Sequence, residues 1–251
     1  MASPPRSYFP GGAYHRDMPP VRQQDQDEIL RRLEGAPRYN AWLFERIRPH
    51  ASGRVLDTGA GIGTFTTLLA NHADEVVAAE PDDAFAERLR ERTQAMPNVS
   101  VVAATVAQLP EELRDFDTAI CMNVLEHIRD DIEALRSLRD RLRPGGRLLL
   151  LVPAHPFLFG ATDEALEHGR RYTLSSLTRA LREAGFAVET VRHVNPVGSL
   201  GWLVSSRLLR RRLIPVRPLR LYDALVPVLR RLDTLRLPIG LSLWAVARRP
   251  L

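Results

Sequence analysis

The chain contains 251 residues, of which 45% are hydrophobic and 26% are charged, as expected of one large or two small globular domains. All 35 basic residues are arginine, and the net charge of +5 favours an anionic acceptor, a membrane surface or nucleic acid as the partner. The single cysteine, Cys121, excludes an intramolecular disulfide and a cysteine-rich zinc site. The N-terminus carries no apolar signal region and no apolar run reaches about 18 residues, so we expect a cytoplasmic protein without membrane-spanning helices.

The N-terminal part of the chain changes character near residue 25. Residues 1–24 are rich in proline and are predicted to form a flexible tail, and residues 25–251 are predicted to form a single domain. Within that domain, apolar spacing over 25–50 predicts two short helices that are interrupted near Gly35 and end before Pro49. These helices are expected either to cap the mouth of a ligand site or to cover one edge of a sheet.

Strands and helices alternate from about residue 54, which predicts a parallel sheet with helices on both faces. The predicted helices are 63–72, one that ends near 93, and 130–142. The fifth strand is a continuous apolar run of the kind found in the middle of a parallel sheet. A helical insertion is predicted over 198–236, just before the last strand. The predicted strands are 54–57, 75–79, 99–103, 116–122, 147–152, 186–191 and 240–247.

The link between the first strand and its helix contains three glycines spaced two residues apart, Gly59, Gly61 and Gly63. Glycine lets the backbone approach a ligand closely because no Cβ intervenes, and a helix N-terminus offers free N–H groups to an anionic ligand group. Asp57 precedes the glycines. Glu80 ends the second strand, where a carboxylate can accept hydrogen bonds from ribose hydroxyls. The alternative is a tight turn that binds nothing.

These residues resemble the first motif of the class I S-adenosylmethionine (SAM)-dependent methyltransferases, which has the form Asp57-x-Gly59-x-Gly61-x-Gly63 here. The segment 123–128 after the fourth strand and the Pro-Gly-Gly turn at 144–146 resemble later motifs of the family, in the family order. A segment further along the chain, His168-x-Arg170-Arg171-Tyr172, resembles a type 11/12-like subgroup of the family. The resemblance implies a doubly wound, seven-stranded Rossmann-like sheet of order 3-2-1-4-5-7-6, with the last strand antiparallel, and SAM as the cofactor.

The resemblance also implies roles for the cofactor-binding residues. Asp57, the three glycines and Asn123 are expected to position the methionine end of SAM, and Glu80 the ribose. In the family an acid after the third strand often accepts a hydrogen bond from the adenine amino group. Thr105 occupies that position here, and a hydroxyl is a weaker acceptor than a carboxylate. Adenine is therefore expected to be held by the backbone near Val106 and by stacking.

The segment after the fifth strand carries candidate acceptor-binding residues. His168-x-Arg170-Arg171-Tyr172 resembles a Gly-His-x-Arg-Arg-Tyr segment that lies near the SAM and acceptor clefts in one methyltransferase subgroup, with Glu167 in place of the glycine. The two arginines can hold a carboxylate or phosphate bidentately, or they can pair with nearby acids and fix the loop. We expect both arginines and Tyr172 to contact the acceptor.

Histidines supply the candidate general bases, because histidine titrates near neutral pH. His155 follows a strand end and His168 lies in the arginine-containing segment, so these two are the candidates. Transfer to an already acidic group needs no base, since alignment of the reacting atoms supplies much of the rate. Glu126 and His127 are adjacent in sequence and cannot lie on one face of a helix, so no metal site is predicted.

The insertion at 198–236 is rich in leucine and arginine, and no acid occurs between Glu189 and Asp223. Such a hairpin is expected to contact a membrane surface through 198–220, to admit an amphipathic anionic acceptor, or to pack as an ordinary surface hairpin. Trp202 and the helices after it are expected to roof the acceptor cleft. Nucleic acid is not expected as a partner, because aromatic residues for base stacking are missing.

The predicted function is transfer of a methyl group from SAM to an oxygen or nitrogen of a small-molecule, lipid-linked or peptide acceptor, as in secondary metabolism. One alternative is a non-catalytic binding subunit with the same fold. The other is a nicotinamide-dependent oxidoreductase, which the glycine spacing disfavours. Neither the acceptor nor the oligomeric state follows from the sequence.

Overall fold

The structure is a computed structural model that describes residues 23–235 and 237–251. The predicted tail therefore lies outside the described residues, apart from its last two positions, which begin the first helix. The strands are β1 (Arg54–Thr58), β2 (Glu75–Ala79), β3 (Val99–Val102), β4 (Phe116–Met122), β5 (Leu142–Pro153), β6 (Ala187–Val194) and β7 (Ser242–Arg248). The α-helices are α1 (Gln23–Glu34), α2 (Pro37–Ile47), α3 (Thr66–Leu69), α4 (Asp83–Thr93), α5 (Asp131–Arg141), α6 (Ala161–Ala165), α7 (Leu174–Glu183), α8 (Pro196–Trp202) and α9 (Val216–Leu229).

All seven strands form one sheet in the order β3-β2-β1-β4-β5-β7-β6. Strands β1 to β5 pair in parallel, and β7 runs antiparallel to both of its neighbours, β5 and β6. The predicted strand order, the antiparallel last strand and the doubly wound α/β class are confirmed. Because β1 to β5 are parallel, their carboxyl ends meet at one edge of the sheet, where open α/β sheets bind ligands.

The apolar run in β5 is buried on both faces of the sheet. Leu148 and Leu150 belong to the core beneath α5 and α7, whereas Leu149 and Leu151 face the opposite core with α2. All four side chains are fully buried. This two-sided burial explains why the strand lacks the polar alternation of a half-exposed strand. Cys121 is buried in the first of these cores as a free thiol.

The glycine turn alters one predicted boundary. The helix expected over 63–72 is shortened to α3, and its start moves to Thr66 because the preceding Gly59, Gly61 and Gly63 have φ angles of 66°, 56° and 84°. These left-handed values are incompatible with the right-handed helix, and only glycine adopts them without strain. The turn therefore keeps residues 59–63 out of the helix, so that their backbone lies beside the end of β1.

The N-terminal helices and the insertion pack against each other. The insertion comprises α8, a π-helical turn (Leu203–Leu208), α9 and a 3₁₀ segment (Arg230–Leu235). The Tyr39 N–H donates to Asp223 Oδ1 at 2.8 Å, the Arg32 guanidinium donates to the Ile214 carbonyl, and Arg46 forms a buried ion pair with Asp233. Within the described residues, no helix is long and apolar enough to cross a membrane.

Two glycines of the turn provide a matched test of this geometry. A Cβ on Gly63 would lie 2.5 Å from Cδ1 of the buried Leu89, whereas a Cβ on Gly61 would meet nothing within 4 Å. Gly61→Ala should therefore lower the free energy of unfolding by about 1–2 kcal/mol, from backbone strain alone. Gly63→Ala should lower it by about 2–5 kcal/mol, because overpacking adds to the strain. Urea denaturation measures both, and equal losses would contradict this assignment.

Candidate functional site

A cavity of about 840 Å³ opens at the carboxyl ends of β1, β2 and β4. The sheet side of its wall includes Asp57, Gly59, Gly61, Glu80 and Asn123. The opposite wall comes from α1, α2 and the insertion, and it is mainly apolar. Its side chains include Leu30, Leu33, Leu43, Leu200, Trp202, Val204, Leu209, Ile214, Leu219 and Tyr222. The cavity thus joins the predicted cofactor residues to the predicted acceptor region in one space.

Asp57 is buried beneath the glycine turn. Its Oδ2 accepts a hydrogen bond from the Thr66 hydroxyl at 2.7 Å, and burial raises the pKa of the carboxyl to about 6, although that hydrogen bond opposes the rise. Thr66 was not anticipated from the sequence. The sequence feature that could have identified Thr66 is a hydroxyl at the first helical position after the glycines, where a side chain points back toward the end of the preceding strand.

Glu80 is fixed by two backbone donors. The Gly61 N–H donates to Oε2 at 2.8 Å, and the Asp82 N–H donates to Oε1 at 3.0 Å. Burial raises the pKa of Glu80 to about 7 despite these bonds. The carboxylate oxygens keep accepting capacity beyond these two bonds. The carboxyl group therefore lies at the cavity wall with a fixed orientation, where it can accept further hydrogen bonds from a hydroxylated ligand.

The remaining predicted cofactor residues divide into two groups. Asn123 lines the cavity with a left-handed φ of 55°, and its N–H donates to the Leu151 carbonyl. Gly63 packs against Leu89 and does not line the cavity, so its requirement for glycine comes from packing. Thr105 and Val106 are also absent from the lining, and the Thr105 hydroxyl donates to Gln108. The adenine position remains a prediction.

A buried ion pair organises the acceptor side. Asp163 and Arg171 are 0% and 1% exposed, and the guanidinium donates to the carboxylate at 2.8 and 3.1 Å. Asp163 also accepts from the Trp202 indole at 3.1 Å, and the Arg171 guanidinium lies 4.9 Å from the centroid of that ring. Burial alone would raise the pKa of Asp163, but the His168 and Arg171 interactions hold it below its usual range. Arg171 and Trp202 line the cavity, and their contact with the acceptor stays a prediction.

Three predicted acceptor or base residues lie outside the cavity lining. Arg170 pairs with Asp131 at 3.0 Å and donates to the Arg129 carbonyl. Tyr172 is buried, and its hydroxyl donates to Asp131. His155 stacks on His193, at 4.6 Å between ring centroids. The structure thus separates Arg170 from Arg171, because the two adjacent side chains bind different carboxylates, Asp131 and Asp163.

His168 lines the cavity together with His127. The Nδ1 atom of His168 lies 2.9 Å from Asp163 Oδ1, and its Nε2 atom lies 3.7 Å from Glu126 Oε1. Burial raises the pKa of Glu126 to about 8 and lowers that of His127 to about 3. Burial also lowers the pKa of His168, although its bond to Asp163 opposes this shift. Both histidines are therefore neutral near pH 7.

Comparison with known proteins identifies the family. A family model described as a methyltransferase domain matches residues 30–191, which is more than half of the chain. This chain is a class I SAM-dependent methyltransferase. Its cofactor is SAM, which supplies an electrophilic methyl group bound to a sulfonium sulfur. The open space beside Gly61, the carboxyl of Glu80 and the polar end of the cavity fit such a ligand.

Several relatives are similar to this methyltransferase over parts of their length. A probable SAM-dependent methyltransferase from Mycolicibacterium smegmatis is 29% identical over 168 residues, which cover 63% of this chain and 64% of that protein. A tRNA U34 carboxymethyltransferase from Azotobacter vinelandii is 36% identical over 115 residues, 43% of this chain, and the match spans about a third (36%) of that relative's length.

A solved structure supports the fold of the methyltransferase. The 1,6-didemethyltoxoflavin-N1-methyltransferase of Burkholderia thailandensis, solved with S-adenosylhomocysteine, superposes with a TM-score of 0.56 at 22% identity. The superposition covers 87% of this chain and 80% of that one. At this level of identity the likeness establishes the shared fold and leaves the acceptor open.

The raised pKa of Glu80 predicts a pH-dependent affinity for SAM. Ribose hydroxyls donate more strongly to an ionised carboxylate, so protonation of Glu80 below about pH 7 should weaken binding. The Kd of SAM should rise by up to about tenfold for each pH unit below that value. Calorimetric titration between about pH 8 and pH 6 measures this dependence. Glu80→Gln should bind SAM more weakly at pH 8 and show a flatter profile, and an unchanged slope would contradict the role of Glu80.

The adjacent arginines are predicted to differ in stability. Arg171→Ala leaves the Asp163 carboxylate buried without its main partner, so the free energy of unfolding should fall by about 3–5 kcal/mol. Arg170→Ala removes a partly exposed pair and should cost about 1 kcal/mol or less, with acceptor turnover per folded molecule unchanged. Urea denaturation and turnover measurements test both variants. A larger loss for Arg170→Ala would reverse the assignment.

Proposed function

We propose that this enzyme methylates an oxygen or nitrogen of an amphipathic, lipid-linked acceptor that it takes from an anionic membrane surface. The observation that carries this proposal is the continuity of the cavity between the cofactor turn and the insertion. The apolar part of the acceptor would occupy the cavity beneath the insertion. Its polar part would reach the region between Asn123 and Trp202.

The outer surface of the insertion supports membrane contact. Of the fourteen large apolar side chains that are conspicuously exposed among the described residues, eleven lie between positions 200 and 239, and eight of these eleven lie outside the cavity lining. Leu208 and Leu221 are 67% and 64% exposed. Exposed apolar surface of this extent marks an interaction site in a soluble domain. The eight side chains of this outer surface are Leu208, Val216, Leu221, Leu225, Val228, Leu235, Leu237 and Ile239.

The charge of the same surface supports an anionic partner. Eight arginines lie between positions 207 and 231, and Asp223 is the single acid in that span. Arg210, Arg217 and Arg220 are exposed and form no ion pair within the described part of the chain. Arginines beside exposed leucines match an interface in which apolar side chains enter the lipid and guanidinium groups meet anionic head groups.

Different residues of the chain would bind the cofactor and align the acceptor. Asp57, Gly59 and Gly61 would hold the methionine end of the cofactor, and Glu80 its ribose. Trp202, held by Asp163, would close the cavity against water and align the acceptor with the methyl group. Alignment within a closed cavity supplies much of the rate of such a transfer.

An RNA acceptor is the second candidate, favoured by the name of the tRNA-modifying relative and by the basic insertion. Sequence-specific RNA recognition stacks unpaired bases on accessible aromatic rings. The aromatic residues of the insertion, Trp202 and Tyr222, are both partly buried and line the cavity. The lipid-linked acceptor is therefore the better-supported candidate, and total tRNA belongs in the assay as a competing substrate.

A vesicle-binding experiment tests the membrane surface. The full chain should sediment with vesicles that contain phosphatidylglycerol and remain unbound with phosphatidylcholine alone, and added salt should weaken binding. Each basic residue near an anionic surface contributes about 1 kcal/mol, so Arg217→Glu combined with Arg220→Glu should weaken binding by at least about 30-fold.

The matched control is Arg179→Glu combined with Arg182→Glu, which makes the same charge change on the exposed surface of α7. This variant should bind anionic vesicles as well as the unmodified chain does. Equal losses in the two double variants would mean that net charge alone drives binding, and the insertion would lose its assigned role.

The acceptor itself can be found by offering labelled SAM with three separate pools: extracted lipids in vesicles, water-soluble metabolites and total tRNA. Label in the lipid pool, with the product identified by mass spectrometry, is the expected result. Label only in tRNA would select the second candidate. Label only in the soluble pool would refute both.

A further inference from the structure

We propose that Glu126, His127 and His168 form a binding site for one divalent transition-metal ion of the Zn²⁺ type at the wall of the cavity. One ligand atom from each of these residues lies within 4.8 Å of the other two. Two imidazoles and one carboxylate are the ligand set of catalytic zinc sites, which keep a further position open. The two histidines line the cavity, so an open position would face the acceptor space.

The buried carboxyl of Glu126 is the first observation that points to a cation. Its side chain is 0% exposed, and neither Oε1 nor Oε2 has a hydrogen-bond partner. A buried carboxyl group without partners is costly, so native structures almost always satisfy it with a donor or a metal ion. The Nε2 atom of His168 lies 3.7 Å from Oε1, which is too far for a hydrogen bond.

The orientation of His168 is the second observation. Its Nδ1 lies 2.9 Å from the Asp163 carboxylate, which accepts the ring N–H, so the Nε2 atom of the neutral ring carries the lone pair. Metal-binding histidines are usually held in this way by a carboxylate. Two atoms bound tetrahedrally at about 2.1 Å from one ion lie about 3.4 Å apart, close to the observed 3.7 Å.

The backbone explains how ligands from two distant segments meet. The Gly169 N–H donates to the Glu126 carbonyl at 2.9 Å, which anchors the loop that carries His168 beside the turn after β4. The His127 ring bonds to the backbone of Glu167, so it too is oriented by a protein acceptor. The sequence predicted no metal site because the adjacent residues Glu126 and His127 cannot lie on one face of a helix. Here the third ligand comes from the loop, and the ion would lie between segments.

The consequence for chemistry rests on the proposed function. A divalent ion at this position would lower the pKa of a coordinated acceptor hydroxyl, so that the hydroxyl would release its proton to water without a histidine base. The oxygen would then bond to the methyl carbon as the bond from that carbon to the SAM sulfur breaks, leaving S-adenosylhomocysteine. Metal binding itself does not depend on which acceptor the enzyme uses, so the two proposals can fail separately.

The experiment measures metal binding directly on the full chain. Protein stripped with a chelator and titrated with Co²⁺ should develop visible absorption bands that saturate at one ion per chain and disappear when Zn²⁺ is added. Elemental analysis after gel filtration should find one Zn²⁺ per chain. Glu126→Gln and His168→Gln should each weaken Co²⁺ binding by more than about 100-fold, because each removes a ligand.

Two controls separate the possible outcomes. His72→Gln changes an exposed histidine outside the cluster and should bind Co²⁺ unchanged. Circular dichroism and SAM calorimetry verify that the ligand variants remain folded and able to bind the cofactor. Absence of bound metal in the unmodified chain, or equal binding in the ligand variants, would overturn the proposal. Metal binding without methylation of lipids would refute the acceptor proposal and leave the metal site standing.

Discussion

The buried ion pair between Asp163 and Arg171 is the interaction on which the acceptor side of this enzyme depends. The Asp163 carboxylate accepts bonds from Arg171, His168, the Trp202 indole and the Gly160 N–H. The Arg171 guanidinium also donates to the Ala154 carbonyl beyond the end of β5. One pair of opposite charges thus ties the sheet, the loop and the insertion together. Because both charges are removed from water, neither can be lost without leaving the other unpaired.

Three carboxyl groups that are costly to ionise lie around the cavity beside this ion pair. Asp57, Glu80 and Glu126 are buried at or near the carboxyl edge of the sheet, and burial raises the pKa of each. Perturbed groups of this kind concentrate at functional sites, where ligands complete the interactions that the fold leaves open. Asp57 and Glu80 lie at the cofactor end, and Glu126 lies nearer the acceptor end. Buried carboxyl groups therefore lie at both the cofactor end and the acceptor end of the cavity.

The insertion has one surface toward this cavity and another toward solvent. Its inner side supplies apolar side chains and Trp202 to the cavity wall, while its outer side exposes leucines and arginines. The N-terminal helices fix it in place through the bond from the Tyr39 N–H to Asp223 and the ion pair between Arg46 and Asp233. The insertion thus lies between the cavity and the outer surface that we propose to contact the membrane.

The sequence determined the strands of the sheet and the position of the cofactor turn, because these depend on local signals, whereas the strand order followed from the resemblance to the methyltransferase family. Glycine spacing, the apolar run of β5 and the strand-ending Glu80 act through backbone conformation and burial near their own positions. The acceptor side depended on tertiary structure. Arg170 and Arg171 are neighbours in sequence, yet one points to Asp131 outside the cavity and the other to Asp163 beside it. Glu126 and His168 meet only because a loop bonds back to the turn after β4. Contacts between distant segments leave no periodic trace in the sequence, so only the folded chain decides which side chains share a site.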